Sequence, residues 1–331
     1  MQESIIIKSS DGDFRTGTSF NDFPLVTIGI LSYNYSQYIE DALNSLLMQT
    51  YPFIELIIID DCSTESLTPK KIESWISANN IRCAFIQNKK NHGITKVSNM
   101  LVQRAKGKYI SLFATDDIML PEKIERQVKI LEEAGEEYGM CYANAITMDE
   151  EGKNTGLCNP GMEIFEGDVL RPYVFGNLPF ATPSSLIRRS VYDKVGLYDE
   201  RVLIEDYNFW LRLMACYKVK YCDYPCLVYR IKQYSSIHNQ INANNRERYC
   251  RDRILSNQQA LRFIRDAEVR RQLKRKIVQY LKTLSAHNAS SLNEILLFLL
   301  RKGYLYLCMK IFFARVFSIV RRKVKYATIF L

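Results

Sequence analysis

The sequence predicts an α/β domain built on a mostly parallel sheet, followed by a basic helical extension. Three observations carry this prediction. Strand-like and helix-like segments alternate from Pro24 to about Gly135, the order that generates parallel sheets. The strand segments are apolar almost without interruption, as expected of strands covered on both faces. Charge is divided along the chain: residues 1–240 carry 25 Lys/Arg and 31 Asp/Glu, whereas residues 241–331 carry 20 and 5. With 47% hydrophobic and 24% charged residues over 331 positions, the chain can bury a substantial core, and wholesale disorder is excluded.

The elements follow in order. After a polar lead-in over 1–22, "LVTIGILSYN" reads as the first buried strand. "YSQYIEDALNSLLMQT" places Tyr38, Ala42, Ser45, Leu46 and Gln49 at helical spacing. Pro52 stops that helix, and "IELIIIDD" is a second strand ending in two carboxylates. "KKIESWISANN" is a helix, "IRCAFIQN" a third strand, and "GITKVSNMLVQRAKG" a helix closed near Gly107. "KYISLFATDD" is a fourth strand, again ending in two carboxylates, and Pro121 opens the helix "PEKIERQVKILEEAG". Beyond it, "GMCYANAITMD" is strand-like, "PSSLIRRSVYDKVG" leads into a short helix, "IEDYNFWLRLMAC" is helical, and "KVKYCDYPCLVYRI" suggests a closing strand pair. Residues 23–235 thus form the predicted catalytic-type domain. Ligands of open α/β sheets bind at the carboxyl ends of the strands, and both acidic pairs fall on that edge.

The chemistry must be carried by carboxylates. Neither a G-x-G-x-x-G nor a P-loop motif is present, so a bound nucleotide would need its phosphates neutralised by other means, most simply a divalent cation on oxygen ligands. Asp116 and Asp117 close the fourth strand, and neighbours on a strand point to opposite sides. Asp117 is therefore assigned Mg²⁺ or Mn²⁺, and Asp116 a sugar hydroxyl; a helix cap before Pro121 is the competing role. Asp61 is positioned to accept an imide N–H from a uracil or thymine, and Tyr33 to stack on that ring; a turn cap and a core-lining residue are the plain alternatives. Glu205 and Asp206 begin the "YNFWLRL" helix, where the macrodipole favours an ionised carboxylate able to deprotonate a hydroxyl. The three histidines are isolated, and no covalent-nucleophile arrangement is present.

Four stretches, "PLVTIGILSYNYSQYIEDALNSLLMQTYPFIELIIIDDCST", "NHGITKVSNMLVQRAKGKYISLFATDD", "KVGLYDE" and "EDYNFWLRL", together resemble the family 2 inverting glycosyltransferases of the GT-A fold, with "ATDDIMLP" similar to its SpsA-like branch. The resemblance runs from about Pro24 to Arg230. It implies that Ser32 and Tyr33 line the nucleobase site, Asp61 binds the base, Asp60 packs beside the nucleotide, Asp116 meets the ribose, Asp117 the metal, and Asp206 is the general base. Glu205 and Trp210 would shape the acceptor side. The implied reaction is one in-line displacement at the anomeric carbon of a UDP- or dTDP-sugar, with a glycan acceptor, as in O-antigen or capsule assembly. Three departures stand out: Ala114 replaces the first acid of the "D-x-D-D" stretch, Ser98 a frequent arginine (with Lys96 as a substitute), and Lys232 the histidine of a common "YRxH". Arg230 or Lys232 is left to meet the diphosphate, and His238 has no assignment. A catalytically inactive nucleotide-sugar-binding scaffold is the alternative function.

The extension over 236–331 reads as helices. Its apolar run from Tyr304 to Val320 is 17 residues long and interrupted by Lys310 and Arg315, too short and charged to span a bilayer comfortably. It suits a basic amphipathic helix on an anionic membrane, holding a lipid-linked acceptor within reach; packing on the domain and an oligomer interface are the competing roles. Nucleic acid is not expected, because the cations alternate with aliphatic residues. The nine cysteines show no C-x-x-C pair, and no signal peptide begins the chain, so reduced thiols and a place on the cytosolic face of the inner membrane are expected.

Overall fold

The computed structural model describes residues 23–176, 181–202, 204–231 and 246–287. The lead-in, Lys232, His238 and the Tyr304–Val320 run lie outside these residues. The described chain divides into two compact units at about Ser236, with Val202–Ile204 grouped with the second.

The first unit opens with β1 (Val26–Ser32), α1 (Ile39–Leu47), β2 (Ile54–Asp60), α2 (Leu67–Ala78), β3 (Ala84–Gln87), α3 (Ile94–Arg104) and β4 (Tyr109–Ala114). It continues through β5 (Ile118–Met119), α4 (Lys123–Ala134), β6 (Tyr138–Ala143), β7 (Ile146–Met148), β8 (Asn154–Leu157), α5 (Leu170–Phe175), β9 (Leu186–Arg188), α6 (Arg189–Val195), α7 (Glu205–Met214), β10 (Lys218–Cys222) and β11 (Leu227–Arg230). The main sheet has the order β10-β6-β9-β4-β1-β2-β3, parallel except for β9. A smaller sheet, β5-β11-β7-β8, lies apart from it. The "closing strand pair" of the sequence is therefore two strands in different sheets: β10 pairs with β6, and β11 with β5 and β7.

Two-sided burial explains the unbroken apolar runs. Val26, Ile28 and Ile30 project to one face and pack with Ile39, Leu43 and Leu46 of α1 and Ile124, Val128 and Leu131 of α4. Ile57 and Ile59 project to the other face, with Val97, Leu101 and Val102 of α3 and Phe209, Trp210 and Leu213 of α7. Gly29 is required by that second face, because a Cβ there would meet Leu101 Cδ1 at 2.2 Å. Parallel register aligns Ser32 with Asp60, and Leu31 with Ala114, so the ends of β1, β2 and β4 share one edge.

The second unit contains α8 (Arg246–Ala260) and α9 (Ala267–His287). Cys250, Ile254, Ile277, Leu281 and Leu284 form its core. On α9, Arg271, Lys274, Arg275 and Lys282 are exposed. Among the described residues, no helix is long and apolar enough to cross a membrane.

Candidate active site at the carboxyl edge of the sheet

The β1–α1 and β2–α2 loops are tied together. Asn34 Oδ1 accepts the N–H groups of Thr64 at 2.9 Å and Glu65 at 3.3 Å, and Ser63 Oγ accepts the N–H of Asn34 at 2.7 Å. Asp60 takes the N–H of Ser63 at 3.0 Å and its hydroxyl at 2.5 Å. Tyr35 and Cys62 sit at φ of 65° and 61°, a left-handed conformation that costs such residues about 1–3 kcal/mol each and concentrates at ligand sites. Between these loops Tyr33 is 42% exposed, while Ser32 Oγ is buried and has no hydrogen-bond partner among the described residues.

Asp61, expected to bind the base directly, is 4% exposed. Its Oδ1 accepts from Asn88 Nδ2 at 2.8 Å and the N–H of His92 at 2.9 Å; its Oδ2 accepts the N–H groups of His92 at 3.0 Å and Gly93 at 2.8 Å. Three donors, the His92 N–H shared between both oxygens, hold this carboxylate, so Asp61 fixes the segment that leads into α3. Lys96, in the first turn of α3, is exposed.

At the end of β4 the two acids differ. Asp117 is 2% exposed, and its Oδ1 accepts the backbone N–H of Arg230 at 3.1 Å. Asp116 is half-buried, and its carbonyl accepts from Arg230 Nε at 3.2 Å. The Arg230 guanidinium also lies 4.2 Å from the Tyr38 ring centroid and 3.6 Å from Asp41 Oδ2. Arg230, a candidate for the diphosphate, thus locks β11 to β4 and α1.

Asp206 stands in the first turn of α7. Its Oδ1 accepts the N–H of Tyr207 at 2.5 Å, and its Oδ2 accepts the Thr182 hydroxyl at 3.0 Å. The preceding "KVGLYDE" stretch holds this helix in place. Arg212 donates to the carbonyls of Val195, Gly196 and Leu197, and Asn99 of α3 exchanges two 2.9 Å hydrogen bonds with the backbone of Tyr198. Trp210 is 2% exposed and packs edge-on against Phe209 at 5.3 Å, so it is a core residue rather than a wall of the site.

Tyr229 joins the two acidic groups. It is half-buried on β11 beside Arg230; burial, then the charges of Asp117 and Asp116, and more weakly Asp206, push its phenol up to about 12. One side chain therefore senses both the β4 acids and the start of α7. Neither Tyr229 nor Thr182 was evident from sequence: one sits in a strand-like run, the other before a proline, and neither carries a motif.

Glu205 is held protonated. Desolvation, reinforced by the neighbouring Asp206 charge, raises its carboxyl from 4.5 to about 8. Between these values the unfolded chain releases a proton that the folded chain keeps, so the wild type loses stability as pH rises from about 4.5 to 8. Glu205→Gln should match the wild type in denaturant unfolding at pH 4. At pH 8 it should exceed it by a few kcal/mol, whereas equal stability at both pH values would remove the assigned proton.

No group of three His, Cys, Asp or Glu side chains converges on a metal position among the described residues. Mg²⁺ and its relatives are commonly held by one or two carboxylates together with substrate phosphates. The partly accessible Asp116 suits that mode. Asp117, turned onto the Arg230 backbone, does not.

Residues 27–196, just over half of the chain, match the family model described as Glycosyl transferase family 2. An uncharacterized glycosyltransferase of Methanocaldococcus jannaschii is 29% identical over 213 residues, covering 63% of this chain and 72% of the relative. TuaG of Bacillus subtilis, a putative teichuronic acid biosynthesis glycosyltransferase, is 26% identical over 221 residues, 67% of this chain and 82% of its own. Among solved structures, S. aureus TarS in complex with UDP-GlcNAc aligns with a TM-score of 0.55 at 16% identity, over 86% of this chain and 90% of that one. A mannosyltransferase of Pyrobaculum calidifontis in complex with GDP-Man and Mn²⁺ gives 0.54 at 14% identity, over 87% and 84%. At these identities the two structures speak for the fold.

Proposed function

The chain belongs to glycosyl transferase family 2, and from that premise we propose that it is a metal-dependent, inverting enzyme acting on a UDP- or dTDP-sugar. The observation that supports this reading is electrostatic: the charges of Asp116, at the end of β4, and more weakly Asp206, at the start of α7, both act on the Tyr229 phenol. A displacement at an anomeric carbon needs a diphosphate-binding acid on one side and a base on the other. Asp206 removes the proton of an acceptor hydroxyl as its oxygen bonds to the anomeric carbon. The bond from that carbon to the phosphate oxygen breaks, and the nucleoside diphosphate leaves with inverted configuration at the sugar. Glu205, protonated beside Asp206, adds no second negative charge near the incoming hydroxyl.

The nucleotide reading rests on the tied loops. Ser32 Oγ, buried without a partner among the described residues, suits a hydrogen bond to the nucleotide, and Tyr33 offers the base an exposed ring. Asp61 supports that pocket through the 88–93 segment. Burial favours exchanging the two β4 acids relative to the sequence expectation: Asp116 takes the cation, and Asp117 anchors Arg230. A divalent cation there would offset negative charge developing on the leaving diphosphate.

The acceptor is a glycan of surface-polysaccharide assembly, a reading that rests on the likeness to TuaG. The exposed cations of α9 suit an anionic membrane surface carrying a lipid-linked acceptor, at about 1 kcal/mol per cation near the surface. The experiment is a panel of nucleotide sugars assayed for nucleoside diphosphate release, with the product's anomeric configuration read by proton NMR. Inversion is expected; retention would exclude the single displacement.

A further inference from the structure

We propose that Thr182 is the positioning residue of the catalytic carboxylate, holding Asp206 in the orientation that proton removal requires. The proposal rests on the reading of Asp206 as the general base. Its ground is the pair of contacts on that carboxylate: Tyr207 N–H on Oδ1 at 2.5 Å and Thr182 Oγ1 on Oδ2 at 3.0 Å. These occupy one lone pair on each oxygen and leave one on each for an incoming proton. The Tyr207 contact is local to the helix and is available to any acid at this position. The Thr182 contact reaches across 24 residues, so it alone ties the side chain to the sheet.

Local structure makes Thr182 a stiff donor. It opens a short 3₁₀ turn, Thr182–Ser184, immediately before β9 in the main sheet. Its carbonyl accepts from the N–H of Ser185 at 3.2 Å and from the Ser185 hydroxyl at 2.8 Å. Pro183 restricts the backbone of Thr182, and the β-branch restricts χ1. The turn uses the main chain of Thr182, which any residue supplies. The hydroxyl is left to Asp206.

The test is steady-state kinetics of the full chain with a donor sugar that the wild type turns over. Thr182→Val keeps the branched shape and removes the donor, and Thr182→Ala is the second donor-free variant should the valine fail to fold. Either should lower kcat by about tenfold and leave the donor KM within about twofold, and Thr182→Ser, which restores a hydroxyl, should return kcat. Unchanged kcat in both donor-free variants overturns the proposal, as does a loss of kcat that Thr182→Ser fails to repair. Turnover retained in Asp206→Asn would instead overturn the base reading itself, whatever Thr182 does.

Discussion

Asp206→Asn should lose transfer by about 10²–10⁴-fold in kcat while binding nucleoside diphosphate as the wild type does. Asparagine preserves the shape of the side chain: its amide oxygen can still accept the Tyr207 N–H, and its NH2 can donate to the Thr182 hydroxyl oxygen in place of the contact Asp206 now accepts. What it lacks is a site for the acceptor's proton. In the proposed reading the nucleotide site is the β1–β2–β4 edge, whose loops are tied by Asn34, Asp60 and Asp61 through contacts that do not involve α7. Calorimetry and single-turnover kinetics therefore separate the two functions. Retained turnover would remove Asp206 from the chemistry, and a parallel loss of nucleotide binding would make it a binding residue.

The second large effect concerns the β4 acids. Asp116→Ala should abolish the Mn²⁺ dependence of nucleotide binding while leaving the fold intact, because Arg230 uses the main-chain carbonyl of Asp116. Asp117→Ala should act mainly on stability. It strips the acceptor from the buried N–H of Arg230, at about 1–3 kcal/mol for a buried donor left unmade. It should also loosen the strand that bears Tyr229. The opposite pattern, with metal dependence lost at Asp117 and stability lost at Asp116, would restore the order expected from sequence.

The fold was legible wherever burial imposes a pattern. β1, β2 and β4 are apolar on both faces because helices cover both, and the acids that end them mark the sheet edge. The smaller sheet was not legible. β5 has two residues, and β8 is fully exposed, so neither carries a periodicity. β10 and β11 are adjacent in sequence, yet a strand records its own burial and not its partner. Lys123 shows the same limit: it lies in a helix rich in charged residues, yet it is wholly buried. There its ammonium donates to Ser111 and Gln127 at 3.0 Å, and desolvation lowers it to about 8.

In the site, residue types were legible but their division of labour was not. Paired acids at strand and helix termini announced carboxylate chemistry. Which acid meets the ligand depends on the donors that reach it: both oxygens of Asp61 are held by the 88–93 segment, and one oxygen of Asp117 by the Arg230 backbone. The resemblance placed Trp210, one turn from Asp206 on the same helix, on the acceptor side. The packing of α7 turns it inward against Phe209.

The most direct measurement is a calorimetric titration of UDP and dTDP into the full chain, each with Mn²⁺ and then with EDTA, in the wild type and in Asp116→Ala. The account predicts that one of the two nucleotides binds the wild type only with the metal present, and that Asp116→Ala removes the difference. Binding of neither nucleotide under any metal condition would contradict it.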